Sequence, residues 1–231
     1  MPKNKTNNIS EHFAPVKHWV VTTAEMLEIE TPEIGFEVFN SDINGKAIFG
    51  NNGWQDAFGN GILKNLFSED FETGNFTNWQ IANDIYNYFI VGTGASYNGG
   101  SYGAYITNDD ITASYNYNRS NISHFYKDII IPTATKVELE FYYKSGGETN
   151  YDYGRVYAMP TSVIPVAGSL PNSNYLISSD LNNQTTWKKE VLDLTAWQGK
   201  TVRLVFSWRN DGSVGSNPAL CVDNIKINYN D

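Results

Sequence analysis

The sequence predicts an all-β protein: a jelly-roll β-sandwich preceded by a small N-terminal β-meander and an irregular tail. Two observations predict this fold. Short strand candidates separated by turn signals recur from residue 66 onward with few helical segments between them, a pattern typical of sandwiches and barrels. The 19 glycines and 15 tyrosines also suit a chain with many turns and half-exposed strands.

The two ends of the predicted sandwich are its most informative stretches. Residues 201–227 contain an alternating apolar run, a loop rich in Asn, Asp, Gly and Pro, and a closing strand at 222–227. Residues 66–79 contain a strand that enters an acidic turn and then a tryptophan. We expect these two ends to pair and to close the sandwich.

Further strands are predicted between these two ends. They cover residues 85–91, 103–107, 123–131, 136–144, 155–159 and 188–194. The connection 163–181 is the longest stretch without a clear pattern, and it contains Pro165, Gly168 and Pro171. Long loops of compact domains are often binding loops, so this connection is a candidate for one.

The residues before the sandwich divide into an irregular arm and a small β module. The arm contains a short helix near 23–28 that Thr22 or Thr23 can cap. The module has two short strands and the start of a third at Trp54, joined by Asn-Gly turns. Such a meander buries little surface, so it needs the sandwich or other copies of itself. The predicted domains are residues 1–30, 31–65 and 66–231.

Composition excludes several function classes. The net charge of −9 argues against a nucleic-acid partner, because neutralising phosphates takes clustered Lys and Arg. The sole cysteine, Cys221, is predicted to be a small core residue, and an intramolecular disulfide is excluded. No apolar run is long enough to insert into a membrane, and the N-terminus lacks the apolar segment of a Sec signal peptide.

No catalytic constellation is recognisable. His12, His18 and His124 stand apart, and none lies in a GxSxG or HExxH context. The sequence therefore predicts a protein that is not an enzyme, with a glycosidase built on a pair of acids as the alternative.

One group of acids suggests a cation site. Asp70 and Glu72 lie near the end of the first predicted strand of the sandwich, and Asp223 lies in the last. Ca²⁺ takes several oxygen ligands from carboxylates and backbone carbonyls, which these residues and nearby turns could supply. The alternative is that they are ordinary solvated carboxylates.

Pairs of tyrosines suggest a glycan-binding surface. Tyr115 and Tyr117, like Tyr151 and Tyr153, are two residues apart, a spacing that places both rings on one face of a strand. Exposed rings could stack on sugars, whereas buried rings belong to the core. Residues 115–121, with Arg119 among them, are the best exposed candidate.

A second group of charged residues is predicted to be structural. Arg209 follows an apolar strand, where burying an unpaired guanidinium is costly. Glu148 and Asp152 flank a turn and are the expected partners of Arg209.

The first of two resemblances concerns the small module. Its motif residues are Pro32, Ile34, Gly35, Val38, Phe39, Asn40, Gly45, Lys46, Gly53, Trp54 and Gly59. This pattern resembles a short module of bacteriophage tail and fibre proteins. The chain departs from the module at Asn40, where Asp is usual, and at Phe49 and Gly50, where a Trp-rich strand is usual.

The second resemblance covers the predicted sandwich. Its motifs are residues 67–72, Trp79, 105–106, 129–132, 139–147, 151–153, 156–157, 194–199 and 203–227. Together they resemble the cleaved-adhesin, choice-of-anchor-J or MAM-like jelly rolls of Bacteroidetes surface proteins, which are similar to calcium-containing carbohydrate-binding domains. The resemblance implies adhesion or glycan binding, and it implies Glu72 and Asp223 as the usual pair of calcium ligands.

These resemblances together lead to one functional hypothesis. The chain is expected to be a non-enzymatic phage virion protein, a fibre or decoration of the head or tail, assembled in the host cytoplasm and released by lysis. Residues 1–65 would form a homotrimer and contact other virion proteins, and the sandwich would bind glycans. The alternative is a bacterial surface adhesin or carbohydrate-binding module.

Overall fold

A computed structural model describes residues 19–51, 53–59 and 61–230 of the chain. The chain forms two compact units that divide between Lys64 and Asn65. Predictions that concern residues 1–18 lie outside the described residues. None of the described helices is long and apolar enough to cross a membrane.

The N-terminal unit is a four-stranded sheet with one short helix. Its elements are β1 (Val20–Val21), α1 (Thr23–Leu27), β2 (Glu37–Asn40), β3 (Gly45–Gly50) and β4 (Gly53–Asp56). The strands lie in chain order, with β1 parallel to β2 and the other pairs antiparallel. Thr22 caps α1 in a capping box with Glu25. A small core of Met26, Val38, Ala47, Trp54 and Ile62 holds the unit together.

The C-terminal unit is a β-sandwich, which confirms the predicted fold class. The large sheet contains β5 (Lys64–Glu69), β7 (Tyr88–Gly92), β8 (Gly103–Thr107), β10 (Lys136–Ser145), β12 (Gln184–Asp193) and β14 (Cys221–Asn230). The small sheet contains β6 (Gln80–Ala82), β9 (Asn121–Ile130), β11 (Tyr153–Met159) and β13 (Thr201–Asn210).

The order of the strands closes the sandwich as expected. The large sheet runs β12-β10-β14-β8-β7, with β5 paired to β14, and the small sheet runs β11-β13-β9-β6. The first and last strands of the unit are therefore hydrogen-bonded neighbours.

Aromatic rings from both sheets fill the core between them. Phe125 of β9 stacks on Phe206 of β13 with ring centroids 4.8 Å apart, and Phe141 of β10 meets Phe206 edge-on at 5.2 Å. Trp79, which the sequence placed near the first strand, packs against Phe125 at 5.1 Å. Such edge-to-face and offset contacts stabilise a core beyond the burial of area alone.

The long connection between β11 and β12 covers the outer face of the small sheet. Val163 and Leu176 of this connection pack against Tyr126, Tyr157 and Val205. This cover explains why both faces of β13 are buried, although alternation alone required only one buried face.

Buried His124 ties the same connection to the sheet. Its Nε2 lies 3.2 Å from the carbonyl oxygens of Val166 and Ser169, and its Nδ1 lies 2.7 Å from Ser207 Oγ. Burial lowers the pKa of His124, so the neutral ring makes these contacts.

Candidate functional site

The acids expected to bind calcium fasten a loop. Glu72 Oε1 accepts hydrogen bonds from the backbone amides of Ser101 (2.9 Å) and Tyr102 (3.1 Å). Asp223 Oδ2 accepts from the amide of Tyr97 at 2.7 Å, and its Oδ1 accepts from Asn224 at 2.7 Å. Asp223 of β14 thus holds the middle of the β7–β8 loop, and Glu72, in the turn after β5, holds its C-terminal end.

The same acids repel one another. The pKa of Asp223 is raised to about 6. Burial is the largest cause and the charges of Glu72 and Asp70 add to it, while two amide hydrogen bonds act in the opposite direction. A cation would relieve this repulsion, so the charge fits calcium. The ligand oxygens of these three described residues do not all come within 4.8 Å of one another, however, and those of Glu72 and Asp223 already accept amide hydrogen bonds. Calcium at this position stays a prediction.

The fastened loop carries one ring of an aromatic group that we call the aromatic platform: Tyr97, Tyr142 and Trp187. Tyr97 stacks on Tyr142 with centroids 3.8 Å apart and planes 16° apart, and it meets Trp187 at 5.7 Å nearly perpendicularly. All three side chains are half-buried. Because the neighbours of Tyr142 in β10, Phe141 and Tyr143, point into the core, Tyr142 lies on the outer face of the large sheet.

Charged groups border the aromatic platform. Lys144 Nζ lies 5.0 Å from the centroid of the Trp187 ring, a cation–π distance. Lys189, which is opposite Tyr142 in the β10–β12 register, forms an ion pair with Glu140 at 2.7 Å. Aromatic rings with a few polar groups around them are the composition of a small-molecule site.

Pattern analysis of the sequence missed the aromatic platform. The criterion of paired tyrosines selects rings two residues apart, whereas Tyr97, Tyr142 and Trp187 come from three distant stretches. The only local signal was the position of Tyr142 between two core residues, which predicts that its ring faces outward.

The tyrosines that were expected to bind glycans divide into buried and exposed ones. Tyr115 is only 3% exposed and Tyr153 only 6% exposed, so the structure corrects the prediction for these two rings. Tyr117 is 43% exposed and Tyr151 49% exposed, and both stay candidates. Arg119 is also a candidate, and its guanidinium lies over the ring of Tyr86 at 5.3 Å.

Two physical causes explain the burial. Because Tyr115 lies in a loop rather than on a strand, the two-residue spacing does not place both rings on one exposed face. Tyr115 is buried and meets the exposed ring of Tyr117 edge-on at 6.2 Å. Its hydroxyl donates to Asp152 Oδ2 at 2.6 Å, and its ring meets Trp208 edge-on at 4.9 Å. Tyr153 begins β11 and is covered by guanidinium groups, with Arg155 at 4.2 Å and Arg209 at 5.4 Å from its ring.

The predicted ion pairs of Arg209 are also corrected. Among the described residues Arg209 forms no ion pair with Glu148 or Asp152; it donates a hydrogen bond to the carbonyl oxygen of Tyr151 instead. The guanidinium is half-exposed, so water solvates it and no buried partner is needed. Glu148 and Asp152 do come together, but their third member is Asp211.

Comparisons with known proteins find sequence similarity over part of the chain and structural similarity at low identity. No protein-family model matches it. The pre-pro-metalloprotease PrtV of Vibrio cholerae is 28% identical over 106 residues, a stretch that makes up 44% of this chain and only 11% of the protease.

Two solved structures are similar to the chain at low identity. The K1 cleaved adhesin domain of Lys-gingipain from Porphyromonas gingivalis W83 has a TM-score of 0.46 and 16% identity, covering 74% of this chain and 100% of that domain. The carbohydrate-binding module TmCBM61, solved with β-1,4-galactotriose, has a TM-score of 0.46 and 12% identity, covering 71% of this chain and 97% of the module. The phage-fibre resemblance of residues 31–59 stays a prediction.

Proposed function

We propose that the chain is a carbohydrate-binding module with an adhesive role, and that it binds glycans on the aromatic platform. The half-buried group of Tyr97, Tyr142 and Trp187 on the outer face of the large sheet is the observation that carries this proposal. These rings lie outside the core between the two sheets, and Trp187 packs against a separate small cluster that contains Tyr105 and Cys221.

The chemistry of the platform suits a sugar ring. A pyranose has a face of C–H groups and a rim of hydroxyls, so it needs a flat apolar surface bordered by donors and acceptors. The rings supply the apolar surface. Lys144, Lys189 and Glu140 lie at its border and supply charged hydrogen-bonding groups.

The platform is held in place before a ligand binds. The amide of Tyr97 donates to buried Asp223, and Glu72 accepts from the amides of Ser101 and Tyr102 at the C-terminal end of the loop. A fixed ring loses little conformational entropy on binding, which leaves more of the contact energy for affinity.

The test is a glycan array followed by calorimetry on the full chain and on Trp187→Ala and Tyr97→Ala. We expect each variant to lose at least about tenfold in affinity for the glycan that the wild type binds, or about 1.4 kcal/mol. Tyr151→Ala tests the competing candidate, an exposed tyrosine in the β10–β11 turn. If Tyr151→Ala loses the affinity and Trp187→Ala keeps it, the platform is not the site. If no glycan binds, the function is wrong.

The glycan-binding proposal does not depend on the virion setting that the sequence predicted. Display on a phage particle, the homotrimer and contacts of residues 1–65 with other virion proteins stay predictions. A carbohydrate-binding module can work in either setting, since the platform lies wholly within the C-terminal unit.

A further inference from the structure

Three carboxylates meet at one end of the sandwich. Glu148 and Asp152 belong to the turn between β10 and β11, and Asp211 follows the last residue of β13. Each offers an oxygen, and these oxygens all lie within 4.8 Å of one another. Asp152 is fully buried, and the other two are half-buried.

No positive side chain neutralises this group. Arg209, the expected partner, donates to the Tyr151 carbonyl, and no described Lys or Arg forms an ion pair with any of the three acids. Like charges at such separations repel strongly when they are shielded from water. Beyond the effect of burial, the charge of Arg209 lowers the pKa of Asp152, but the charge of Asp211 raises it more, so the repulsion within the group outweighs this nearby positive charge.

Two of the three acids have hydrogen-bond donors. Asp152 Oδ2 accepts from the Tyr115 hydroxyl at 2.6 Å, and its Oδ1 accepts from the Asp211 amide at 2.9 Å. Asp211 Oδ1 accepts from Ser213 N at 2.9 Å and from Ser213 Oγ at 3.0 Å. Both carboxylates are thus oriented by the protein.

Glu148 differs from both. Its Oε2 is buried and has no hydrogen-bond partner. Across the part of the chain that the structure describes, one other buried side-chain oxygen lacks a partner: Oγ of Ser145, a fully buried residue three positions earlier in the same segment. Buried polar atoms nearly always have a hydrogen-bond partner, and a bound ion or an ordered water is a common explanation for an exception. Both exceptions lie at this end of β10.

We propose that Glu148, Asp152 and Asp211 bind a divalent cation of the calcium type. The ligands are all oxygens, which suits a hard cation, and their two segments leave the flexible geometry that Ca²⁺ accepts and Mg²⁺ does not. The ion gives Glu148 Oε2 its partner, removes the repulsion and ties the β10–β11 turn to the β13–β14 loop. This site is distinct from Glu72 and Asp223 and does not depend on the proposed glycan binding.

The experiment is a calcium titration of the chelator-treated full chain by calorimetry. Tb³⁺ luminescence, excited through Tyr115 and Trp208, gives a second readout at the same site. Glu148→Gln and Asp211→Asn keep the shape of each side chain and remove its charge. Glu72→Gln is the matched control at the other group of acids.

We expect the wild type to bind one Ca²⁺ at this site and each of the first two variants to weaken it at least tenfold. Glu72→Gln is expected to leave that affinity unchanged. The proposal is overturned if the folded wild type gives neither heat nor Tb³⁺ luminescence, and also if Glu72→Gln weakens binding while Glu148→Gln does not. Circular dichroism confirms folding, and if one variant misfolds the other decides.

Discussion

The two groups of acids in the sandwich look alike in composition and differ in their donors. Asp223 and Asp152 are both buried, and burial raises the pKa of each. Around Asp223, backbone amides of the β7–β8 loop satisfy the carboxylates, including that of Glu72. Around Asp152, Glu148 keeps a buried oxygen without a partner. The difference teaches that the available donors, rather than the number of acids, distinguish a group of carboxylates that the protein itself satisfies from one that it does not.

The tyrosines repeat this lesson. Tyr97 and Tyr115 both lie in loops next to β8. Asp223 holds the backbone of Tyr97, which leaves its ring on the outer face of the large sheet, whereas Asp152 holds the hydroxyl of Tyr115, which draws that ring inward. In these two cases, the carboxylate that accepts from the backbone leaves the tyrosine ring at the surface, and the carboxylate that accepts from the hydroxyl keeps the ring buried.

The largest expected effect separates Asp152 from Glu148 within the second group of acids. In the presence of EGTA, Asp152→Ala should lower the free energy of unfolding by about 3 kcal/mol, because it leaves the buried Tyr115 hydroxyl and the Asp211 amide without an acceptor. Glu148→Ala should cost less than about 1 kcal/mol, since it removes an oxygen without a partner and a repelling charge. Urea unfolding followed by tryptophan fluorescence measures both. Equal losses in the two variants would mean that the Glu148 carboxylate also has a hydrogen-bond partner, and that the two groups of acids do not differ in their donors.

The next effect concerns pH and the first group of acids. The pKa of Asp223 is raised to about 6 in the folded chain from an ordinary value of 3.8, so the folded chain holds this proton more tightly than the unfolded chain does. The stability from this proton is complete below the lower pKa and is lost as the pH rises through the higher one. Between about pH 4 and about pH 7 the wild type should therefore lose roughly 2–3 kcal/mol of stability relative to Asp223→Asn.

Asp193 gives the control of opposite sign for that experiment. Hydrogen bonds from Thr195 lower the pKa of Asp193, so its contribution to stability is present above its ordinary pKa and is lost as the pH falls. Urea unfolding of wild type, Asp223→Asn and Asp193→Asn at four pH values compares the slopes. Parallel curves for wild type and Asp223→Asn would show that Asp223 ionises normally in the folded chain.

The smallest expected effect is at Arg209. Because its guanidinium is half-exposed and has no ion pair, Arg209→Ala should lower the free energy of unfolding by about 0.5 kcal/mol, no more than a surface control such as Lys188→Ala. The melting temperatures of the two variants make the comparison. A loss of about 3–5 kcal/mol would instead indicate a buried ion pair of Arg209 with Glu148 or Asp152, and the second group of acids would then be neutralised without a cation.

The sequence by itself determined the fold class and much of its layout. Alternation in residues 201–208 predicted a strand, and the structure has β13 there. Turn residues and the acidic stretch after residue 66 predicted that the first and last strands meet, and β5 pairs with β14. These features are readable because strand periodicity and turn chemistry act between residues close together in the chain.

Only the tertiary structure decided which side chains face outward and which acids meet. The rings of Tyr97, Tyr142 and Trp187 converge from one loop and two strands. Asp211 joins Glu148 and Asp152 across more than fifty residues of sequence. Whether the outer face of a strand is exposed depends on what folds over it: the β11–β12 connection covers the small sheet, whereas the β7–β8 loop covers part of the large sheet and leaves Tyr142 half-buried. Periodicity fixes the side of a strand on which a residue lies, but long-range packing and hydrogen-bond donors fix what that side chain meets.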